Sequence, residues 1–219
     1  ANKLQQLVNQ HRATQRRNQM NQALDAAENL AADSAAMPAT HQTGHLAHIQ
    51  AALNRDIDGQ HAAKDVVSRA LRRRALGLGD PERPLRLLFA GPSGVGKTAM
   101  ATACCEALLG SCTEDRNFKR FNLSEFSHPS KFNRLTGGDP NYVGYKEGGE
   151  LTNFIRQAEE RRAKRLGGRR ANHTSCVVLF DEVDRAADGL LTFLMNFLDQ
   201  GMLASGNGDT VAARRAVIM

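Results

Sequence analysis

The sequence has no tryptophan, two tyrosines and only 5% aromatic residues among its 219. It has no apolar run near the roughly 18 residues that a membrane-spanning helix needs. Its first residues lack the basic, apolar and small-residue succession of a secretory leader, although the chain opens on Ala1 rather than Met and an upstream leader would fall outside it. No C-x-x-C pair occurs. The four cysteines are Cys104, Cys105, Cys112 and Cys176, and adjacent thiols such as Cys104 and Cys105 rarely pair. The expectation is reduced, partly buried thiols in a reducing compartment, the cytoplasm or the mitochondrial matrix. Charge is not scarce: 29 Lys+Arg against 23 Asp+Glu leave a net +6. The basic residues gather at Arg72-Arg73-Arg74 and across residues 161–170, with few aromatics beside them. Solvated helix faces and subunit contacts account for them as well as nucleic acid does.

The chain is organised around Gly91-Pro92-Ser93-Gly94-Val95-Gly96-Lys97-Thr98, which reads G-x-x-x-x-G-K-T. Glycines at this spacing let backbone N–H groups cradle the phosphates of a nucleotide. Lys97 reaches the β- and γ-phosphates, and the Thr98 hydroxyl can ligate Mg²⁺. The pattern means this only between a strand and a helix. The short apolar run of residues 85–90 suits a buried strand, and residues 98–109 suit a helix stopped by Gly110. The helix N-terminus adds a favourable field for the anion.

A second stretch matches the first. Cys176-Val177-Val178-Leu179-Phe180 is apolar throughout and ends in Asp181-Glu182. A strand buried on both faces belongs in a parallel sheet under helices. Its acids then project from the carboxyl end, where ligands bind in open α/β sheets. Asp181 would hold Mg²⁺ through its shell, and Glu182 would orient and polarise an attacking water.

The remaining elements alternate. Helices are expected over residues 46–53 and 60–75, the second capped by Asp58. A strand is expected over residues 118–123, a short helix at Ser124-Glu125-Phe126 and a glycine-rich mobile loop over residues 137–149. A helix over residues 150–165, a basic connection over 166–173 and a helix over 188–199 follow. Residues 201–209 read as a loop and 213–219 as a final strand. This is an α/β domain with a mainly parallel sheet between helices. Residues 1–45, rich in Gln, Asn, Ala and Arg, read as a polar helical extension and linker unable to bury a core alone. The domain proper runs from residue 46 to residue 219.

Several separate stretches, in order, resemble the AAA+ ATPases of the Clp disaggregase and unfoldase family, and most of all their second nucleotide-binding domain, including that of mitochondrial members. They are Asp58-Gly59-Gln60, Asp80-Pro81-Glu82-Arg83-Pro84, the P-loop, Leu123-Ser124-Glu125-Phe126, Tyr142-Val143-Gly144-Tyr145-Lys146-Glu147-Gly148-Gly149, Phe180-Asp181-Glu182-Val183-Asp184 and Leu198-Asp199-Gln200-Gly201. The resemblance implies an AAA+ P-loop NTPase domain that binds ATP and Mg²⁺ between the subunits of a homo-hexamer. It implies nucleotide contacts at Ile57, beside the adenine, and at Gly91, Pro92, Ser93, Gly94, Val95, Gly96, Lys97, Thr98 and Ala99. Asp58 departs from the apolar residue usual beside Ile57. Metal contacts fall at Thr98 and Asp181, and the catalytic residue is Glu182. Tyr142 and Val143 match the pore loop that grips unfolded or aggregated polypeptide. The family's polar sensor, arginine finger and helical lid have no counterpart up to Met219.

Three functions remain in play. The first is an ATP-driven protein unfoldase or disaggregase, favoured by the glycine-flanked Tyr142. The second is an AAA+ motor or loader acting on nucleic acid, favoured weakly by the arginine clusters. The third is an ATP-binding scaffold docked through its N-terminal arm, disfavoured by intact Lys97, Asp181 and Glu182.

Overall fold

The computed structural model describes residues 40–128, 131–137, 148–166, 174–204 and 208–219. The chain divides into two units, Ala1–Ala47 and His48–Met219. The expected polar extension of residues 1–45 lies almost wholly outside the described residues.

Helices α1 (Thr40–Asp56) and α2 (His61–Ala75) precede strand β1 (Leu85–Arg86). The P-loop leads into α3 (Lys97–Leu109), and β2 (Phe118–Asn122) follows. A single turn, α4 (Asn133–Thr136), and the long α5 (Glu150–Leu166) come before β3 (Cys176–Asp181). The chain then forms α6 (Asp188–Gln200), β4 (Met202–Ala204), β5 (Thr210–Ala212) and β6 (Ala216–Ile218). The main sheet has the order β1-β6-β3-β2, and its pairings are all parallel.

β3 is the spine of this sheet. Its residues from Cys176 to Phe180 are all buried. Alternation sends Cys176, Val178 and Phe180 to one face, where α5 and α6 supply Leu151, Phe154, Ile155, Leu194 and Phe197. Val177 and Leu179 face the other way, onto α1, α2 and α3. On that side α3 presents Ala101, Ala103, Cys104, Cys105 and Ala107, all buried. These small side chains let the helix axis lie close to the sheet. The result is a three-layer α/β arrangement, as the sequence pattern requires.

Three local expectations need correction. The strand foreseen over residues 85–90 pairs only at Leu85 and Arg86, opposite Val217 and Ile218. Leu87 N–H still donates to Ile218 O at 2.9 Å. Met219 gives its N–H to Val178 O and its carbonyl to Phe180 N–H, continuing the pairing of β6 with β3. Residues 88–90 lie outside the strand, and Leu88 stands 86% exposed. Second, the stretch read as a loop and one long strand is a β4–β5 hairpin followed by β6, with Leu203 opposite Val211 and both buried. Third, Asp58 does not cap α2. The cap position is Gln60, in a left-handed conformation and without a side-chain bond. The buried Lys64 instead donates from Nζ to Ile57 O at 3.0 Å.

Candidate nucleotide site

The C-terminal end of β3 and the N-terminal end of α3 meet at a cleft of about 770 Å³. Residues 91–94 and 96–99 line it, as do Asp181 and Glu182. The loop can take this path because Gly94 and Gly96 adopt φ values of 80° and 91°, a region that side chains disfavour. A Cβ built on either glycine meets no atom within 4 Å. The space over the loop backbone is open, which is what a phosphate cradle needs.

Within the cleft the charges are already arranged. Lys97 Nζ donates to Gly91 O at 2.8 Å and to Pro92 O at 2.7 Å, folding back over its own loop. Thr98 Oγ1 donates to Asp181 Oδ2 at 3.3 Å. The same carboxylate oxygen accepts from Arg120 at 2.8 Å. Asp181 Oδ1 accepts the backbone N–H of Glu182 at 3.1 Å. A hydroxyl and a carboxylate so close form a hard-oxygen set suited to Mg²⁺. These residues fit both a nucleotide and its metal.

Glu182 carries a left-handed backbone, φ 56° and ψ 45°. That costs a non-glycine residue about 1 kcal/mol or more, and such strain collects at functional sites. It turns the chain sharply after the buried strand and leaves the Glu182 carboxylate half-exposed, 3.6 Å from Arg185.

The other sequence candidates divide. Ile57 is buried in the core with α1, α2 and α3 and does not line the cleft. Gln60, three residues on, donates to Val95 O at 3.5 Å. Tyr142 and Val143 lie outside the described residues. The base of their loop is described, and it is pinched shut: a Cβ on Gly149 would sit 2.1 Å from Leu135 O, and one on Gly137 3.1 Å from Gly149 N. Only glycine admits two backbones this close. Arg120 was not foreseen. It sits on β2 two residues before Asn122, which pairs in register with Asp181. No sequence spacing reveals that neighbour.

A glycine loop between strand and helix, with two acids at the end of the buried strand β3 of the same sheet, defines a P-loop nucleotide-binding protein of the α/β class. Residues 83–219 match the family described as AAA domain (Cdc48 subfamily), and the chain belongs to it. It is 38% identical over 175 residues to chaperone protein ClpB of Dichelobacter nodosus, covering 80% of this chain and 18% of that protein. The ClpB of Lactiplantibacillus plantarum is 37% identical over the same shares. The ATP-dependent Clp protease ATP-binding subunit ClpC of Staphylococcus epidermidis is 35% identical, covering 81% of this chain and 20% of its own length. The chain thus spans about a fifth of the curated relatives it matches.

Proposed function

We propose that this chain is the nucleotide-binding core of an ATP-driven protein unfoldase or disaggregase. The observation that carries the reading is the convergence of Lys97, Thr98, Asp181 and Glu182 on one open cleft. Likeness to chaperone protein ClpB and to a Clp ATP-binding subunit supports the same conclusion.

In this mechanism Lys97 leaves its loop carbonyls and donates to the β- and γ-phosphate oxygens of ATP. Backbone N–H groups of the P-loop and the positive end of α3 hold the remaining charge. Thr98 and Asp181 would hold Mg²⁺, which when bound neutralises charge on the transferring phosphoryl group. Glu182 orients a water in line with the γ-phosphorus and draws on its proton. Arg120 keeps the Asp181 carboxylate turned toward Thr98. As that guanidinium side chain is 48% exposed, solvent limits the pair to about 1 kcal/mol.

The wider reading makes Tyr142 and Val143 the grip on unfolded or aggregated polypeptide. ATP then binds between the subunits of a homo-hexamer. Free thiols at all four cysteines suit a reducing compartment, cytoplasmic or mitochondrial. No helix among the described residues is long and apolar enough to cross a membrane. Residues 1–45 form an extension and 46–219 the domain.

Glu182→Gln in the full-length protein tests the core of this. The amide keeps size and removes the group that polarises water, while Asp181 still serves the metal. ATP should bind with wild-type affinity and phosphate release should fall by two orders of magnitude or more, the usual scale for a lost general base. Near-normal phosphate release would assign water activation to another residue.

A further inference from the structure

The Asp181 carboxylate is heavily engaged by the protein itself. Its Oδ2 accepts from Thr98 Oγ1 at 3.3 Å and from Arg120 at 2.8 Å. Its Oδ1 accepts the Glu182 N–H at 3.1 Å. An ionised carboxylate offers about four lone-pair sites, two on each oxygen. Both sites of the oxygen that faces Thr98 are therefore taken, and one of the two donors is a full positive charge.

Topology builds this partnership. Strand alternation puts Val177, Leu179 and Asp181 on the face of β3 that packs against α3, with Phe118, Arg120 and Asn122 beside them on β2. Arg120 pairs opposite Leu179, two residues short of Asp181, a distance of about 7 Å along the strand that an arginine side chain spans. Among the described residues β2 is an outer strand of the main sheet. The Arg120 side chain is 48% exposed and that of Asp181 19%. The acid is thus fixed and partly desolvated, while its cation reaches in from solvent on a long stem. A partly buried carboxylate is costly without a cation, and the guanidinium offsets that cost. A metal held by Thr98 and Asp181 would draw on the same oxygen, and two cations at one oxygen repel each other.

We propose that Arg120 is a tethered competitor of the metal: its guanidinium neutralises Asp181 when Mg²⁺ is not bound and is displaced when it is. This rests on the proposed role of Thr98 and Asp181 as metal contacts. Until the metal arrives, Arg120 keeps the carboxylate turned toward Thr98. Afterwards the Thr98 hydroxyl and the Glu182 N–H hold it. The consequence is a smaller preference for metal-loaded over metal-free nucleotide than the acid alone would impose. A half-exposed ion pair is worth up to about 1 kcal/mol, which is about fivefold in affinity.

The test is calorimetric titration of ADP into full-length protein, once with saturating Mg²⁺ and once with a chelator. Arg120→Gln should bind ADP about fivefold more tightly than wild type with Mg²⁺, and no more tightly with chelator, so the ratio of the two affinities rises about fivefold. Arg120→Lys keeps the charge and should bring the ratio back toward wild type. Lys119→Gln removes an equal charge from the opposite face of β2, where Lys119 lies over the Phe121 ring, and should leave the ratio unchanged. A constant ratio in Arg120→Gln would reduce Arg120 to a structural contact, and a fall would make it an ally of the metal; either overturns the competition. An equal rise in Lys119→Gln, or no recovery in Arg120→Lys, would overturn it as well. Wild-type protein whose ADP affinity ignores Mg²⁺ would remove the metal roles of Thr98 and Asp181 themselves, and the competition with them.

Discussion

Lys97→Ala separates two roles that the structure gives to one side chain. As it stands, Lys97 staples the P-loop through Gly91 O and Pro92 O. In the proposed mechanism it binds phosphate. The staple is half-exposed, and its loss should cost no more than about 1 kcal/mol. For a domain of this size that is a fall of roughly 2–4 °C in melting temperature. A charged bond to phosphate is worth about 1.5–3 kcal/mol, and about 1.4 kcal/mol is a factor of ten. ATP affinity should therefore drop about 10- to 150-fold. The assay is calorimetric titration of ATP with Mg²⁺ into the full-length variant, beside a thermal melt without nucleotide. ATP affinity within threefold of wild type, together with a fall in melting temperature, would make Lys97 a structural staple only and remove the basis of the nucleotide assignment.

Three further outcomes are expected, the first from the proposed function and the others from the geometry. Tyr142→Ala in the full-length protein should keep ATP binding and basal turnover and lose unfolding of a fluorescent model protein; intact unfolding would end the threading role. Gly149→Ala brings a methyl group to 2.1 Å from Leu135 O and should destabilise by about 1–3 kcal/mol, whereas Gly189→Ala meets nothing within 4 Å and should be neutral or slightly stabilising. Equal melting temperatures for the two would show that the loop base is not closed as described. At pH 8 an aromatic disulfide reagent should reach Cys112, which is partly exposed, long before the buried Cys104 and Cys176, whose thiols burial pushes up to about 12. Four thiols titrating together in native protein would contradict that burial.

Much of the fold was legible because its strongest signals are long or chemically particular. β3 announces itself as five apolar residues ending in two acids, and α3 as a run of helix formers between glycines. What escaped the sequence was set by partners far along the chain. β1 pairs at Leu85 and Arg86 alone, opposite Val217 and Ile218, more than a hundred residues on. The β4–β5 hairpin escaped because its strands are three residues each, too short for alternation to register. In the site, Lys97, Thr98, Asp181 and Glu182 lie around one cleft, as their motifs suggest. Arg120 was invisible, since only strand pairing brings it to Asp181. Ile57 was reached by resemblance alone, and its burial in the core follows from the helix packing of α1 rather than from any local pattern.

The double-sided burial of β3 has a consequence for how the domain breathes. Amide protons exchange with solvent through openings, and the free energy of an opening rises with the apolar contact it must break. β3 touches both core layers and is flanked by two strands, so its amides should exchange only when the whole domain unfolds. Asp181 thus rides on the segment that opens last. The carboxylate side of the cleft is a fixed reference against which the nucleotide is held.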